Sequence, residues 1–428
     1  MDYLSIYKAS FIGKGESEYK KRYNSDCTLH FDIGPEKDSS FFYLNMDLIL
    51  IMEEIMLIND KIIYQRHNGG NFIHSWEYNY SLVEEIMLSN EIEGVSSTRK
   101  ELTELLDIKK PEKYKRLYGM VNKYRSIFDK NKEFVPIRNA KEFRNVYDEI
   151  ILEDIRRESP EDIPDGRIFR KEEVNVESST KTIHKGLYPE DRIIQCMDKA
   201  LMVLNDEKIP CLIRVALSHY FVGYIHPFYD GNGRMSRYIS SYYLTQVLDP
   251  VSALRLSSAC KKRQKDYYQA FKITNDPRNK GDITYFVMMF LDILKDGLKE
   301  YLSVLSYKTD QYRYYKDLIK NLNIDERSKK ILQLIFEVSM FSYKKADIST
   351  IMKGTGLSKA TVSNRIKGLE QKSYIIRKRQ GKTTFFEFNE DLTEESALKN
   401  RDTIQLVNLP KKHMSHCVPS GGMTVRIF

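Results

Sequence analysis

Apolar residues recur at a helical period through most of this chain. Between residues 78 and 106 they fall at Leu82, Ile86, Leu102, Leu105 and Leu106, with Gly94 as a break between two helices. The same pattern predicts helices at about 143–157, 189–205, 210–224, 234–247, 265–274 and 283–305. Pro210 suits the first turn of its helix, where a missing N–H removes no hydrogen bond. The first sixty or so residues have no clear period: Gly13, Gly15 and the segments 32–35 and 38–40 interrupt it ahead of an apolar stretch at 42–58. Between 160 and 189 a polar segment holds two short alternating runs, 167–170 and 174–176, which predict a small hairpin or flap.

Beyond residue 307 the texture changes. Residues 308–327 are charged and lack Pro and Gly, as a connecting helix would. Helices are then expected at 328–338 and 348–353, followed by a turn at Gly354-Thr355-Gly356 and a helix to about 372 for which Ser358 is a good N-cap. Residues 375–388, with Gln380-Gly381 near their centre, read as two strands around a turn. Helix, helix, tight turn, capped helix and two-stranded ribbon is the order of a winged helix-turn-helix. The tail, 391–428, is polar and expected to be poorly ordered.

Composition narrows the class. With 428 residues, 41% hydrophobic and 30% charged, the chain has the length for two or three globular domains and the make-up of neither a disulfide scaffold nor a disordered protein. Cys27, Cys196, Cys211, Cys260 and Cys417 are scattered and form no C-x-x-C pair, which argues against a disulfide framework or zinc knuckle and fits a reducing cytoplasm. No basic stretch followed by an apolar core opens the chain. The most apolar run, 41–52, is interrupted by Asn45 and Asp47, so neither a signal peptide nor a membrane span is expected. The net charge of +8 is unevenly placed: nine basic residues and one acid, Glu370, lie between Lys353 and Lys382, which leaves 59 of each sign elsewhere out of 68 basic and 60 acidic in all. Such a local field favours a polyanion.

The densest chemistry is His226-Pro227-Phe228-Tyr229-Asp230-Gly231-Asn232-Gly233-Arg234-Met235-Ser236-Arg237. A helix ends near Ile225, a glycine-rich loop follows, and a new helix starts at Asn232 or Gly233. That junction offers free backbone N–H groups and the positive end of a helix dipole, which suit an anion. Arg234 and Arg237 share a helix face beyond it and can fork onto phosphate oxygens. Asp230 can hold Mg²⁺ against phosphates, and an ordinary imidazole, His226, can accept a proton near neutral pH.

This segment resembles the signature H-P-F-x-[DE]-G-N-G-R-x-x-R of the Fic family and matches it at every fixed position. The resemblance implies a mostly α fold, a Fic-type helical core with a small β flap, and Mg²⁺-dependent transfer of AMP from ATP to a hydroxyl of a target protein. It implies His226 as general base, Asp230 as the magnesium ligand, Gly231, Asn232 and Gly233 as the phosphate hole, and Arg234 and Arg237 as contacts to the outer phosphates. Tyr267, Tyr268 and Asn275 resemble residues that line the nucleoside pocket in related proteins, although the insertion 276–280 bears on where Asn275 lies. His219 falls where the family often has histidine, and a core histidine is favoured over a metal ligand. The flap, 174–184, would hold the target segment by strand addition. Upstream, Ser89-Asn90-Glu91-Ile92-Glu93-Gly94 resembles the family's inhibitory helix, with Ser89 and Glu93 on one face, Glu93 directed at Arg237, and Gly94 ending the helix.

The basic surplus falls on the third helix and wing of the C-terminal module. Lys359, Thr361, Ser363, Asn364 and Lys367 take polar positions around an apolar stripe of Val362, Ile366 and Leu369. Lys359, Thr361, Asn364 and Lys367 can face a major groove, while Arg377, Lys378, Arg379 and Lys382 can meet phosphates. The expected organisation is a regulatory region at 1–120, a Fic core at 121–307, a linker helix and winged helix-turn-helix at 308–390, and a flexible tail at 391–428. The expected protein is cytoplasmic, with a protein substrate and duplex DNA as partners and no membrane; a homodimer is compatible with the sequence. Two other readings stand beside AMP transfer: a DNA-binding regulator whose Fic core senses nucleotide, and a hydrolase that removes AMP from a modified protein.

Overall fold

The computed structural model describes residues 3–67, 70–129, 131–178, 181–342, 345–381 and 383–389. Lys382, expected at a phosphate, and the whole tail 391–428 with Cys417 lie outside the described residues. The fold is mostly α-helical and divides into two compact units, Met1–Arg313 and Tyr314–Phe428. No helix among the described residues is long and apolar enough to cross a membrane.

At the centre of the first unit is the helix Cys211–Ile225, buried on almost every side. Its sequence is apolar all round, as such a position requires. The helices Glu190–Asn205 and Asn232–Leu244 pack against it. The expected break at Gly94 is present: one helix runs Gly70–Ile92 and another Arg99–Leu106, and Gly94 takes φ +74° between them. The former begins well before residue 78. The segment read as one helix at 143–157 is helical throughout but contains a wide π-type turn, Asp148–Leu152, between Ala140–Tyr147 and Glu153–Glu158. The helix expected at 283–305 and the charged connector after it form one continuous helix, Thr284–Asn321.

Two expectations change. The flap is built from Asn175–Ser178 and Lys181–Lys185, paired antiparallel, and residues 167–170 are not one of its strands. The N–H groups of Arg167, Ile168 and Phe169 instead converge on the Glu190 carboxylate at 3.0, 2.7 and 2.9 Å, so their donors are satisfied without a neighbouring strand. The unpatterned N-terminus is an ordered part of the unit. Its strands Thr28–Glu36 and Ser39–Tyr43 form a hairpin joined by Lys37 and Asp38, both at positive φ. Such turns usually carry Asn-Gly, so the sequence gives no turn signal here. Phe41 N–H donates to the Gly281 carbonyl and Ile283 N–H to the Phe41 carbonyl, which fastens the hairpin to the start of the long helix.

The helix Gly70–Ile92 carries a buried polar ridge at every fourth residue. Glu77 accepts from Arg66 at 2.8 Å and from the Tyr301 hydroxyl at 2.8 Å. Glu85 accepts from the Ser257 N–H and hydroxyl at 2.8 and 2.7 Å and from the Ser241 hydroxyl at 3.1 Å, while burial pushes its carboxyl up. Ser81 and Ser89 are likewise buried. Alongside the ridge, Glu84 pairs with Arg255 at 3.0 Å.

In the second unit the helices Glu326–Phe341, Ile348–Thr355 and Lys359–Gln371 surround Ile331, Leu332, Ile335, Val362, Ile366 and Leu369. Ser358 caps the third helix by accepting from the Thr361 N–H at 3.3 Å. The strand Thr383–Phe388 lies between Ala346–Asp347 and Ile375–Gln380, antiparallel to both.

Candidate active site

The helix Cys211–Ile225 stops because His226 turns to φ +52°, a left-handed conformation uncommon for a residue with a Cβ. The chain then loops through residues 227–231 and enters the helix Asn232–Leu244 with Gly231 at φ +84°. The loop is braced from within: Asn232 Oδ1 accepts from the Phe228 N–H at 2.9 Å, and Asn232 Nδ2 donates to the Phe228 carbonyl at 2.8 Å. Phe228 also stacks on Tyr147, with ring centroids 3.6 Å apart.

Sequence reasoning did not single out Arg170, which holds this loop from outside. Its Nε donates to the His226 carbonyl at 2.9 Å, one terminal nitrogen to the Leu187 carbonyl at 2.7 Å and the other to the Glu172 carbonyl. It is fully buried, and burial pulls its guanidinium down to about 10. These partners lie up to 56 residues away, so no local pattern announces them. Arg170→Met is expected to destabilise the first unit by about 3 kcal/mol, because three buried carbonyls lose charge-assisted donors. Urea denaturation checks this, and an unchanged midpoint would mean that the carbonyls find other partners.

Asp230, His226 and residues 231–233 line one cleft of about 250 Å³ together with Tyr267, Tyr268, Asn275 and Glu93. Arg234 donates to Asp230 at 2.7 Å. Arg237 is fully buried: it meets Glu93 at 2.9 Å, its Nε donates to the Ser89 hydroxyl at 3.0 Å, and a terminal nitrogen donates to the Ser89 carbonyl at 2.8 Å. Burial works against this guanidinium's charge, but the Glu93 carboxylate and its other neighbours together outweigh it and hold the group above its ordinary range. Gly233 is what gives Glu93 room. A Cβ at Gly233 would lie 2.0 Å from Glu93 Oε1, so only glycine admits the carboxylate at this helix N-terminus.

The tyrosine pair divides its work. Tyr267 is buried and its hydroxyl meets His219 Nε2 at 2.7 Å, while Tyr268 is half-buried on the cleft wall with its hydroxyl 3.4 Å from the Ile92 carbonyl. His219 is a core histidine: its Nδ1 lies 2.8 and 3.0 Å from the hydroxyls of Ser240 and Ser236, and burial together with Arg237 pushes it down to about 3. Despite the insertion after it, Asn275 lies on the cleft wall, where its Oδ1 accepts from Tyr220 at 2.7 Å. The cleft is completed by Tyr229 and Ser236 at variable positions of the motif, by Asn175 of the flap, and by Gly223 and Phe271, which carried no signal in the sequence.

The basic residues of the second unit are less uniformly available than their count suggests. Lys359, Asn364 and Lys367 are exposed on the helix Lys359–Gln371, whereas the Thr361 hydroxyl lies 3.0 Å from Ser358 Oγ at the cap. Arg377 forks onto Glu370 with two 2.6 Å bonds, Lys378 meets Glu387 at 2.5 Å, and Arg379 bonds the Gly381 carbonyl.

A helical core with a glycine-containing loop between two buried helices at its centre defines the class. Residues 139–244 match the model of the Fic/DOC family, and the chain carries a Fic/DOC family domain. Over 102 residues it is 36% identical to the protein adenylyltransferase Fic of Drosophila erecta, which is 23% of this chain and 19% of that protein. It is also 36% identical over 87 residues to the protein of the same name from Drosophila melanogaster, 20% of this chain and 16% of that one. The chain thus matches under a fifth of the length of these relatives. Among solved structures, a Fic family protein from Desulfovibrio desulfuricans G20 is similar with a TM-score of 0.50 at 20% identity, over 81% of this chain and 97% of that one. That likeness speaks for the fold.

Proposed function

We propose that the first unit transfers AMP from ATP to a hydroxyl side chain of a target protein, and that Glu93 restrains it. The observation that carries this reading is the convergence, in one cleft, of an imidazole with an N–H-lined helix start flanked by two arginines. His226 removes the proton of the target hydroxyl, whose oxygen attacks the α-phosphorus. The bond from that phosphorus to the bridging oxygen breaks, and pyrophosphate leaves. Backbone N–H groups at residues 231–233 stabilise the charge that develops on the phosphates, and Arg234 and Arg237 hold the outer ones.

Magnesium fits the residues present. Mg²⁺ characteristically takes one or two carboxylates beside substrate phosphates and water, and Asp230 offers one partly exposed carboxylate at the phosphate cradle. Bound there with nucleotide, the ion would neutralise phosphate charge. The two-stranded flap reaches the cleft at Asn175, which supports capture of the target segment as an added strand.

Incubation with labelled ATP tests the proposal. Label in the α-phosphate should move to protein; label moving from the γ-phosphate would make the chain a kinase, and no transfer of either would favour a nucleotide-sensing regulator. AMP removal is the second enzymatic reading, since Glu93 sits in the cleft where a hydrolytic water would be needed. A pre-modified protein that loses AMP would identify it.

We further infer that the second unit is a winged helix-turn-helix that binds duplex DNA. Its three helices, its short third strand and the exposed Lys359 and Lys367 support this. For the full chain, log K is expected to fall linearly with log salt. Replacing Lys359, Lys367 and Arg379 together by alanine should flatten the slope by about 1 to 3, since Arg379 and whichever of the lysines reaches a phosphate each contribute about 0.9. An unchanged slope, or no salt-sensitive binding, would assign the module to protein docking.

A further inference from the structure

The helix Met46–His67 buries Leu48, Ile51, Ile55, Ile58, Asn59 and Ile62 against the first unit. Its opposite face carries an apolar line with charges beside it. Met46, Leu50, Leu57 and Tyr64 are 66, 51, 54 and 69% exposed, and at about 100° per residue they lie within roughly 20° of a single line along the helix. With the flanking Ile49 and Met56 they expose about 600 Å², the upper end of what a monomer usually leaves in one apolar patch.

The charges beside this seam say what covers it. Leu50 and Tyr64 lie seven residues either side of Leu57, and the exposed Glu53 and Lys61 lie four either side. We propose that this face is the interface of a homodimer, in which the helix pairs antiparallel with its copy about a two-fold axis at Leu57. Leu57 then meets Leu57 of the second copy, Leu50 meets Tyr64, and Glu53 meets Lys61, each of the last two contacts occurring twice, as an isologous interface requires. A parallel pair would instead set Glu53 on Glu53 and Lys61 on Lys61. The antiparallel pair also opposes the two helix dipoles. Three residues either side of the axis, Asp60 faces Glu54 of the second copy, a carboxylate already engaged by Lys299 at 3.0 Å and Lys295 at 3.6 Å. Two such faces bury about 1,200 Å², the lower bound for a specific interface.

Sedimentation equilibrium of the full chain tests the proposal. The wild type should dimerise in the micromolar range, and Leu57→Asp, which sets two carboxylates on the axis, should weaken association about 30-fold or more. Glu53→Lys and Lys61→Glu should each weaken it about tenfold, and the double variant should recover it to within about threefold. All three substituted side chains are exposed, and circular dichroism verifies that each variant stays folded. A wild type that remains monomeric at about 100 μM would overturn the proposal. So would a dimer that Leu57→Asp leaves intact, or a double variant that stays as weak as the single ones.

Discussion

Replacing His226 by alanine is expected to lower AMP transfer by about 10²- to 10⁴-fold while ATP affinity stays within a few-fold, the range seen when a positioned general base is removed. The separation follows from the geometry. The imidazole lines the cleft, whereas the groups proposed to hold the donor are residues 231–233 beside it and Arg234 and Arg237 on the next helix. The substitution also keeps the backbone comparable, because alanine has the same Cβ at φ +52° as histidine does, and Arg170 still holds the carbonyl. Transfer from α-labelled ATP measures the rate and nucleotide binding provides the control. An alanine variant with wild-type transfer would remove His226 from the role assigned to it.

Replacing Glu93 by glycine is expected to raise self-modification and target modification by about 10²-fold, the scale of penalty that a misaligned reactant carries. In the structure Glu93 pairs with Arg237 and lies where a Cβ of Gly233 would be, at the positive end of the helix. An incoming γ-phosphate would meet a carboxylate at that point and lose the guanidinium that should receive it. Ser89→Ala should have the same sign and a smaller size. It removes the acceptor at 3.0 Å but leaves the Ser89 carbonyl at 2.8 Å and the Glu93 pair itself. Equal rates for wild type and Glu93→Gly at saturating ATP and magnesium would make the glutamate helix purely structural. If AMP removal is the physiological activity, Glu93→Gly should abolish it and enhance transfer together.

Much of the site was legible because its parts are close in sequence. Twelve residues, 226–237, specify a helix end, a loop and a helix start, and the four-residue spacing of Ser89 and Glu93 sets both on one face. Whatever depended on distant partners was not legible. Arg170 acts on carbonyls that only the fold brings near it. Residues 167–170 alternate like a strand, yet their N–H groups go to Glu190. The Lys37-Asp38 turn lacks the glycine or asparagine that would have marked the N-terminal hairpin. The charge count in the second unit likewise could not reveal that Arg377 and Lys378 are engaged by Glu370 and Glu387.

The polar ridge on the helix Gly70–Ile92 bears on how the proposed restraint by Glu93 would be lifted. Glu77, Glu84 and Glu85 bind that helix to Arg66, Arg255, Ser241 and Ser257. Withdrawing the whole helix would strand buried carboxylates and their partners, at several kcal/mol each. The last turn, 90–94, is held by Arg237 on Glu93, by Lys261 on Glu91 at 3.1 Å and by the Tyr268 hydroxyl at the Ile92 carbonyl, none of which ties it to the buried carboxylates of the ridge, so it can fray without them. If Glu93 restrains transfer as proposed, control would work as a leak rather than a latch: the resting rate would equal the full rate multiplied by the fraction of time the final turn is open. A hundredfold gain on removing Glu93 corresponds to a resting duty cycle of about 1%, or about 2.7 kcal/mol. On that proposal an activator would have only that much to supply, and one helical turn on which to supply it.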